Sequence, residues 1–201
     1  MESYKTKILN RIEEIGSEKV FIANDFLDLA DYETIRKTLN RLVKSGDIKR
    51  ILNGVYYKPE FIALIGEFEA PSANEVAFAL ARKYNWSIAP SGNTALNLLG
   101  LSTQVPAKWT YISDGRYATF NFGNKKIEFK RRSNRNISKM SQLSATVIQA
   151  IKAIGKDKVN AEHIQYLQGK LSEREKQELL ESGVTTSAWI YRVIRQICKA
   201  Q

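Results

Sequence analysis

The stretch KSGDIKRILNGVYYKP, residues 44–59, sets a helix stop, two cations, an Asn-Gly pair and two adjacent tyrosines side by side. Asn53-Gly54 lies between two runs of strand-forming residues, 48–52 and 55–57. That pattern predicts a hairpin, with positive φ expected at both central turn positions. Lys49 and Arg50 alternate in direction along the first strand, so at least one must leave the core, and Tyr56 and Tyr57 likewise point opposite ways. A hairpin directly after a helix is either the edge of a small sheet or a wing laid against a nucleic-acid backbone. The residues upstream decide.

Ile8, Ile12 and Ile15, with Leu9 beside them, recur at helical spacing up to Gly16. Residues 20–22 read as a short extended piece. Asn24 is placed to cap a short second helix over 25–30, and Asp31 to cap a third, YETIRKTLNRLVKSG, which stops at Gly46. At about 100° per residue the third helix puts Ile35, Leu39, Leu42 and Val43 on one side. Glu33, Thr34, Lys37, Asn40, Arg41 and Lys44 fall on the other, with Arg36 at the margin. Cations at Lys37, Arg41 and Lys44 suit phosphates, while Thr34, Arg36 and Asn40 lie nearest where bases would be read. An ordinary solvated helix has much the same composition, so the helix alone does not decide. The order does: helix, short helix, basic helix, then a ribbon carrying Lys49 and Arg50. That is the order of a winged helix-turn-helix, expected over residues 1–70 and binding duplex DNA.

Near residue 70 the pattern changes, and residues 71–201 read as a mixed α/β domain with a helical carboxy-terminal part, for an α+β protein as a whole. Ser72 and Glu75 have capping-box spacing before an Ala-rich helix over 73–83, and Ser172 with Glu175 repeats the spacing. WSIAP, KWTYIS, YATFNF and KIEFKRR read as strands, with Gly123-Asn124 turning between the last two, and the chain is expected to be helical from Gln142 onward. Lys130, Arg131, Arg132 and Arg135 form the densest basic cluster, a second candidate nucleic-acid patch for flanking DNA or RNA. A charged edge strand kept soluble by its cations fits that cluster equally.

The chain has 201 residues and a net charge of +10. The excess is uneven: residues 1–60 carry 11 basic and 10 acidic side chains, residues 61–140 carry 11 and 5, and residues 141–201 carry 9 and 6. A polyanionic partner for the region beyond the first helices follows as an expectation. No run of 18 apolar residues and no secretory leader is present, so a cytoplasmic protein without a membrane partner is expected. Cys198 is the single cysteine and His163 the single histidine, too few to suggest a zinc site or a disulfide. No phosphate-binding glycine loop or nucleophile elbow appears, and neither catalytic residues nor a cofactor is expected.

SGNTALNLLGLSTQVPAKWTYISDG, residues 91–115, resembles the central signature of the AbiEi-type antitoxins of type IV toxin–antitoxin (abortive infection) systems. FLDLADYETIRKTLNRLVKSGDIKRILNGVYYKP is similar to that family's amino-terminal winged helix, and SAWIYRVIRQI to its closing helix. The likeness spans nearly the whole chain. It implies an autorepressor that binds its own operon's promoter and a second domain that counters a nucleotidyltransferase-like toxin without stably contacting it. The alternative is a winged-helix regulator whose second domain senses a ligand or oligomerises. An enzyme with an appended DNA-binding domain, such as a nuclease, is a third and weaker reading.

Overall fold

Ile8 and Ile12, one helical turn apart, are both fully buried and set the inner face of α1 (Tyr4–Ile15), whose amino end is capped by the Ser3 hydroxyl. The protein is seen here in a computed structural model that describes residues 3–16, 19–64, 66–132 and 137–199. It is α+β and divides into two compact units, residues 1–86 and 87–201.

In the first unit β1 (Val20–Ile22) is followed by a single 3-10 turn, Ala23–Phe26, where the sequence suggested a short α-helix over 25–30. The Asp25 carboxylate explains the difference. It turns back to accept from the Ile22 amide at 2.9 Å, and the chain closes locally through Leu29 N–H to the Phe26 carbonyl. Too few residues remain before the next cap to nucleate an α-turn. That cap is Asp31, which accepts from the Thr34 amide and opens α2 (Tyr32–Ser45); α2 ends at Gly46, in the left-handed region. Ile35, Leu39 and Leu42 are fully buried against Ile8, Ile12, Phe21 and Phe26, as the helical spacing predicts.

The hairpin forms, from β2 (Lys49–Leu52) and β3 (Val55–Tyr57), and the three strands pair in the order β1-β3-β2. Its turn differs from the one expected: Gly54 takes φ of +68°, but Asn53 keeps a negative φ. The ladder compensates by slipping between Arg50 and Leu52, which leaves Ile51 as a bulge. Tyr56 packs inward with its ring stacked on Phe21, while Tyr57 is half-buried on the opposite face. A small hairpin not foreseen in the sequence follows, β4 (Phe61–Ile62) and β5 (Glu67–Phe68).

α3 (Ala73–Tyr84) also belongs to the first unit, lying against β1 and β3, whereas the sequence suggested a boundary near residue 70. Ser72 caps it as expected, but Glu75 does not complete the capping box, and its carboxylate pairs instead with Lys19 at 3.1 Å. Arg82 ties the helix down by bonding the Asp25 carboxylate and the Val20 carbonyl.

The second unit is built on β6 (Ile88–Pro90), β7 (Trp109–Ser113), β8 (Ala118–Phe122) and β9 (Lys125–Arg131), in the order β6-β7-β9-β8. β7 and β9 run parallel and the other pairs antiparallel. α4 (Asn93–Leu99) ends at Gly100, whose φ of +77° and lack of a side chain admit the Tyr166 hydroxyl, which donates to the Leu99 carbonyl at 3.0 Å. A Cβ on Gly100 would lie 2.4 Å from that hydroxyl. Four further helices complete the unit: α5 (Gln142–Ile154), α6 (Ala161–Lys170), α7 (Glu173–Gly183) and α8 (Ala188–Ile197). Val147, Ile151, Leu167, Leu179 and Ile194 form their shared core. The Ser172–Glu175 capping box is complete, and His163 closes a similar box with Asn160.

Candidate functional site

In the first unit, the helical period of α2 turns Lys37, Arg41 and Lys44 to solvent. Among the described residues none of these three side chains makes an ion pair. The three side chains nearest the expected bases are already engaged or partly covered. Thr34 is half-buried, its amide given to Asp31 and its carbonyl accepting the Thr38 hydroxyl. Arg36 pairs with Glu33 at 3.0 Å, and this bond with its charge raises the guanidinium pKa above the ordinary arginine value. Asn40 accepts a hydrogen bond from Arg50.

That last bond fixes the hairpin's polarity. Arg50 pairs with Tyr56 across the ladder, so it lies on the same face as Tyr56, with its guanidinium 5.5 Å from the ring centre. Lys49 pairs with Tyr57 on the other face, and its ammonium sits 4.1 Å over the Phe68 ring. Both cations remain exposed, but only Arg50 joins the α2 side. There a depression of about 300 Å³ gathers Tyr32, Arg36, Asn40, Arg50, Tyr56 and Lys83. Lys83 went unnoticed in the sequence; it donates to the Asn53 carbonyl and so pins the turn.

The second unit holds a larger concavity, a cleft of about 1120 Å³. The parallel register puts Ile112 beside Lys130 and Ser113 beside Arg131, and Arg132 N–H extends the ladder to the Ser113 carbonyl at 2.9 Å. Ile112 packs with Ala89 against Ala145 of α5, so that face of the sheet is covered at one end. Beyond it the cleft opens, with Lys108 and Lys152 joining Lys130, Arg131 and Arg132 on its walls. Ser91, Gly92 and Asn93, from the start of the 91–115 stretch, form part of the rim. Among the described residues no carboxylate lines it. Arg135, the fourth member of the basic cluster read from the sequence, lies outside the described residues. Lys108 and Lys152 carried no local signal, because only the fold brings a loop, a strand end and a helix together.

The profile of a family of unknown function, DUF6088, matches residues 7–180. The chain belongs to the DUF6088 family. The matched span takes in both the α2 face and the cleft. No curated protein matches the chain. Among solved structures it is similar to the Rv2827c protein of Mycobacterium tuberculosis, at 10% identity over 98% of this chain and 77% of that one, with a TM-score of 0.40. At that score the likeness carries no argument. Among the described residues no helix is long and apolar enough to cross a membrane, and no group of three or more His, Cys, Asp or Glu is arranged to hold a metal ion.

Proposed function

We propose that this DUF6088 chain is a DNA-binding antitoxin and transcriptional autorepressor of a type IV toxin–antitoxin operon, acting in the cytoplasm. Residues 1–86 are read as a winged helix-turn-helix with α2 as its recognition helix. The observation that carries this reading is the solvent face of α2. Among the described residues Lys37, Arg41 and Lys44 make no ion pair there, and Asn40 on the same helix is bonded to Arg50 of the hairpin. Free cations along one helix supply phosphate contacts, and a ribbon tied to that helix supplies another from the wing. The resemblance of residues 91–115 to the antitoxin signature supports the second half of the reading, an antidote to a nucleotidyltransferase-like toxin.

Anisotropy titrations of the full chain against a duplex of its own promoter, at several salt concentrations, test the DNA-binding half. The Lys37→Ala/Arg41→Ala double variant is expected to bind all sequences more weakly and to make the salt slope shallower by about two units. Full promoter affinity in that variant would remove α2 from the interface. Growth rescue on co-expression with a neighbouring nucleotidyltransferase-like gene tests the antidote half. The basic cleft favours a second reading, a winged-helix regulator whose second unit senses a ligand; promoter binding without rescue would select it.

A further inference from the structure

The cleft of the second unit combines three properties that surface charge alone does not produce. Its cations come from three separate segments: Lys108 from the loop before β7, Lys130 to Arg132 from the end of β9, and Lys152 from α5. They are also largely unpaired. Lys130 bonds Glu128 at 3.4 Å, but among the described residues Lys108, Arg131, Arg132 and Lys152 make no ion pair. Finally, β9 is an interior strand as far as Phe129, where β8 ends opposite it at Ala118. Protection of an exposed edge therefore accounts for the last residues of β9 and not for Lys108 or Lys152. Five like charges around one concavity repel one another, a cost that a bound anion relieves. Lys152 keeps contact with solvent, and partial burial lowers its ammonium pKa from the ordinary lysine value.

The kind of anion follows from charge density and from what the walls lack. Among the described residues no aromatic ring lines the cleft, so they offer no stacking platform of the kind single-stranded nucleic acid uses. A nucleic-acid strand brings one charge per phosphate, about one for each 3.4 Å of helix axis, which spreads its charge past a site this compact. A chain of consecutive phosphates concentrates its charge, since a terminal phosphate alone carries about −1.5 to −2. The volume, about 1120 Å³, lies just above the usual range of small-ligand sites, which run to about 1,000 Å³. Asn93 and Gln149 add neutral donors, and Pro106 with Ile112 offers a small apolar wall. We propose that this cleft binds an oligophosphate, either a nucleoside triphosphate or inorganic tripolyphosphate, through Lys108, Lys130, Arg131, Arg132 and Lys152. The inference stands on the second unit alone and holds whether or not the first unit binds DNA.

Isothermal titration of the full chain at fixed ionic strength, with and without magnesium, tests it. The probes are tripolyphosphate, the four common ribonucleoside triphosphates, adenosine monophosphate, orthophosphate and a short single-stranded RNA. Tripolyphosphate or a triphosphate is expected to bind about ten-fold or more tightly than the monophosphate or orthophosphate. Equal affinity for tripolyphosphate and all four triphosphates identifies the phosphate chain as the whole ligand, and preference for one triphosphate identifies a nucleotide. Arg132→Gln/Lys152→Gln should lose about ten-fold or more of that affinity. Lys152→Arg should keep it, and Lys37→Ala/Arg41→Ala should leave it unchanged. If the double cleft variant melts below the parent, Lys108→Gln, at an exposed loop position, is read in its place. Parent-like tripolyphosphate binding by the folded cleft variants overturns the proposal. So does tight RNA binding, lost in those variants, without binding of any oligophosphate.

Discussion

Asp31 does two jobs with one carboxylate: it caps α2, and it sits at the positive end of that helix's dipole. Bonds from the Thr34 hydroxyl and amide hold its pKa below the ordinary aspartate value. A carboxyl whose pKa is depressed on folding contributes stability above its unfolded pKa and loses it as pH falls through the folded one. Asn caps nearly as well but does not titrate. Asp31→Asn is therefore expected to lie slightly below the parent at pH 7 and to converge on it in acid. Urea midpoints measured from pH 7 to pH 3 check this, and parallel curves would deny Asp31 its part in the acid limb. Arg50 and Asn40 make a second residue-scale test. If their bond presents the wing to DNA, Arg50→Ala makes the salt slope shallower by about one unit. Arg50→Ala and Asn40→Ala should also combine non-additively in promoter affinity. Additive effects and an unchanged slope would leave the hairpin a structural element only.

Among the elements, the β2–β3 hairpin depends on Gly54, the one turn residue in the left-handed region, at φ +68°. Gly54→Ala is expected to cost about 1–2 kcal/mol, the usual penalty for a Cβ in that conformation, whereas Gly54→Asn should cost less. The new Cβ meets only the flexible end of Lys83, 3.3 Å away, so Lys83→Ala should not rescue the loss. Urea denaturation gives the comparison, and full rescue would mean that crowding rather than φ sets the cost. The hairpin also marks what local sequence can and cannot carry. Asn53-Gly54 between β-branched and aromatic runs announced two strands, and the spacing of Ile35, Leu39 and Leu42 announced the inner face of α2. The bulge at Ile51 was not legible, because it accompanies a turn in which Asn53 keeps a negative φ. Nor was the 3-10 turn, which is held partly by Arg82, distant in sequence. The cleft was half legible: the Lys130–Arg132 run stood out, but Lys108 and Lys152 meet it only through the parallel β7–β9 pairing and the packing of α5.

At the scale of the whole molecule, charge and folding unit coincide. Residues 1–86 carry 13 basic and 13 acidic side chains, and residues 87–201 carry 18 and 8, so the second unit holds the entire net charge of +10. The DNA binding proposed for a neutral first unit would rest on the local arrangement along α2 rather than on overall attraction. The boundary that gives this partition was hidden in the sequence, because the Pro-Ser break at 71–72 opens a helix that packs backward. β1 shows why α3 belongs with what precedes it. Phe21 faces the core under α1 and α2, while Val20 and Ile22, with Val55 beside them, are buried on the opposite face, the one not served by that core. A strand apolar on both faces needs a cover on each, and α3 contacts both β1 and β3. Exposing those three side chains would cost roughly 1.5–3 kcal/mol each, roughly 5–9 kcal/mol together. That is comparable to the whole stability of a small domain, about 5–15 kcal/mol. The Arg82 and Lys83 bonds to Val20, Asp25 and Asn53 would go as well. A fragment of residues 1–86 is therefore expected to melt cooperatively, while residues 1–70 should lack a cooperative transition and expose apolar surface. Circular dichroism melts and dye binding on the two fragments decide it. A 1–70 fragment melting within a few degrees of 1–86 would show that α3 is dispensable to the first unit.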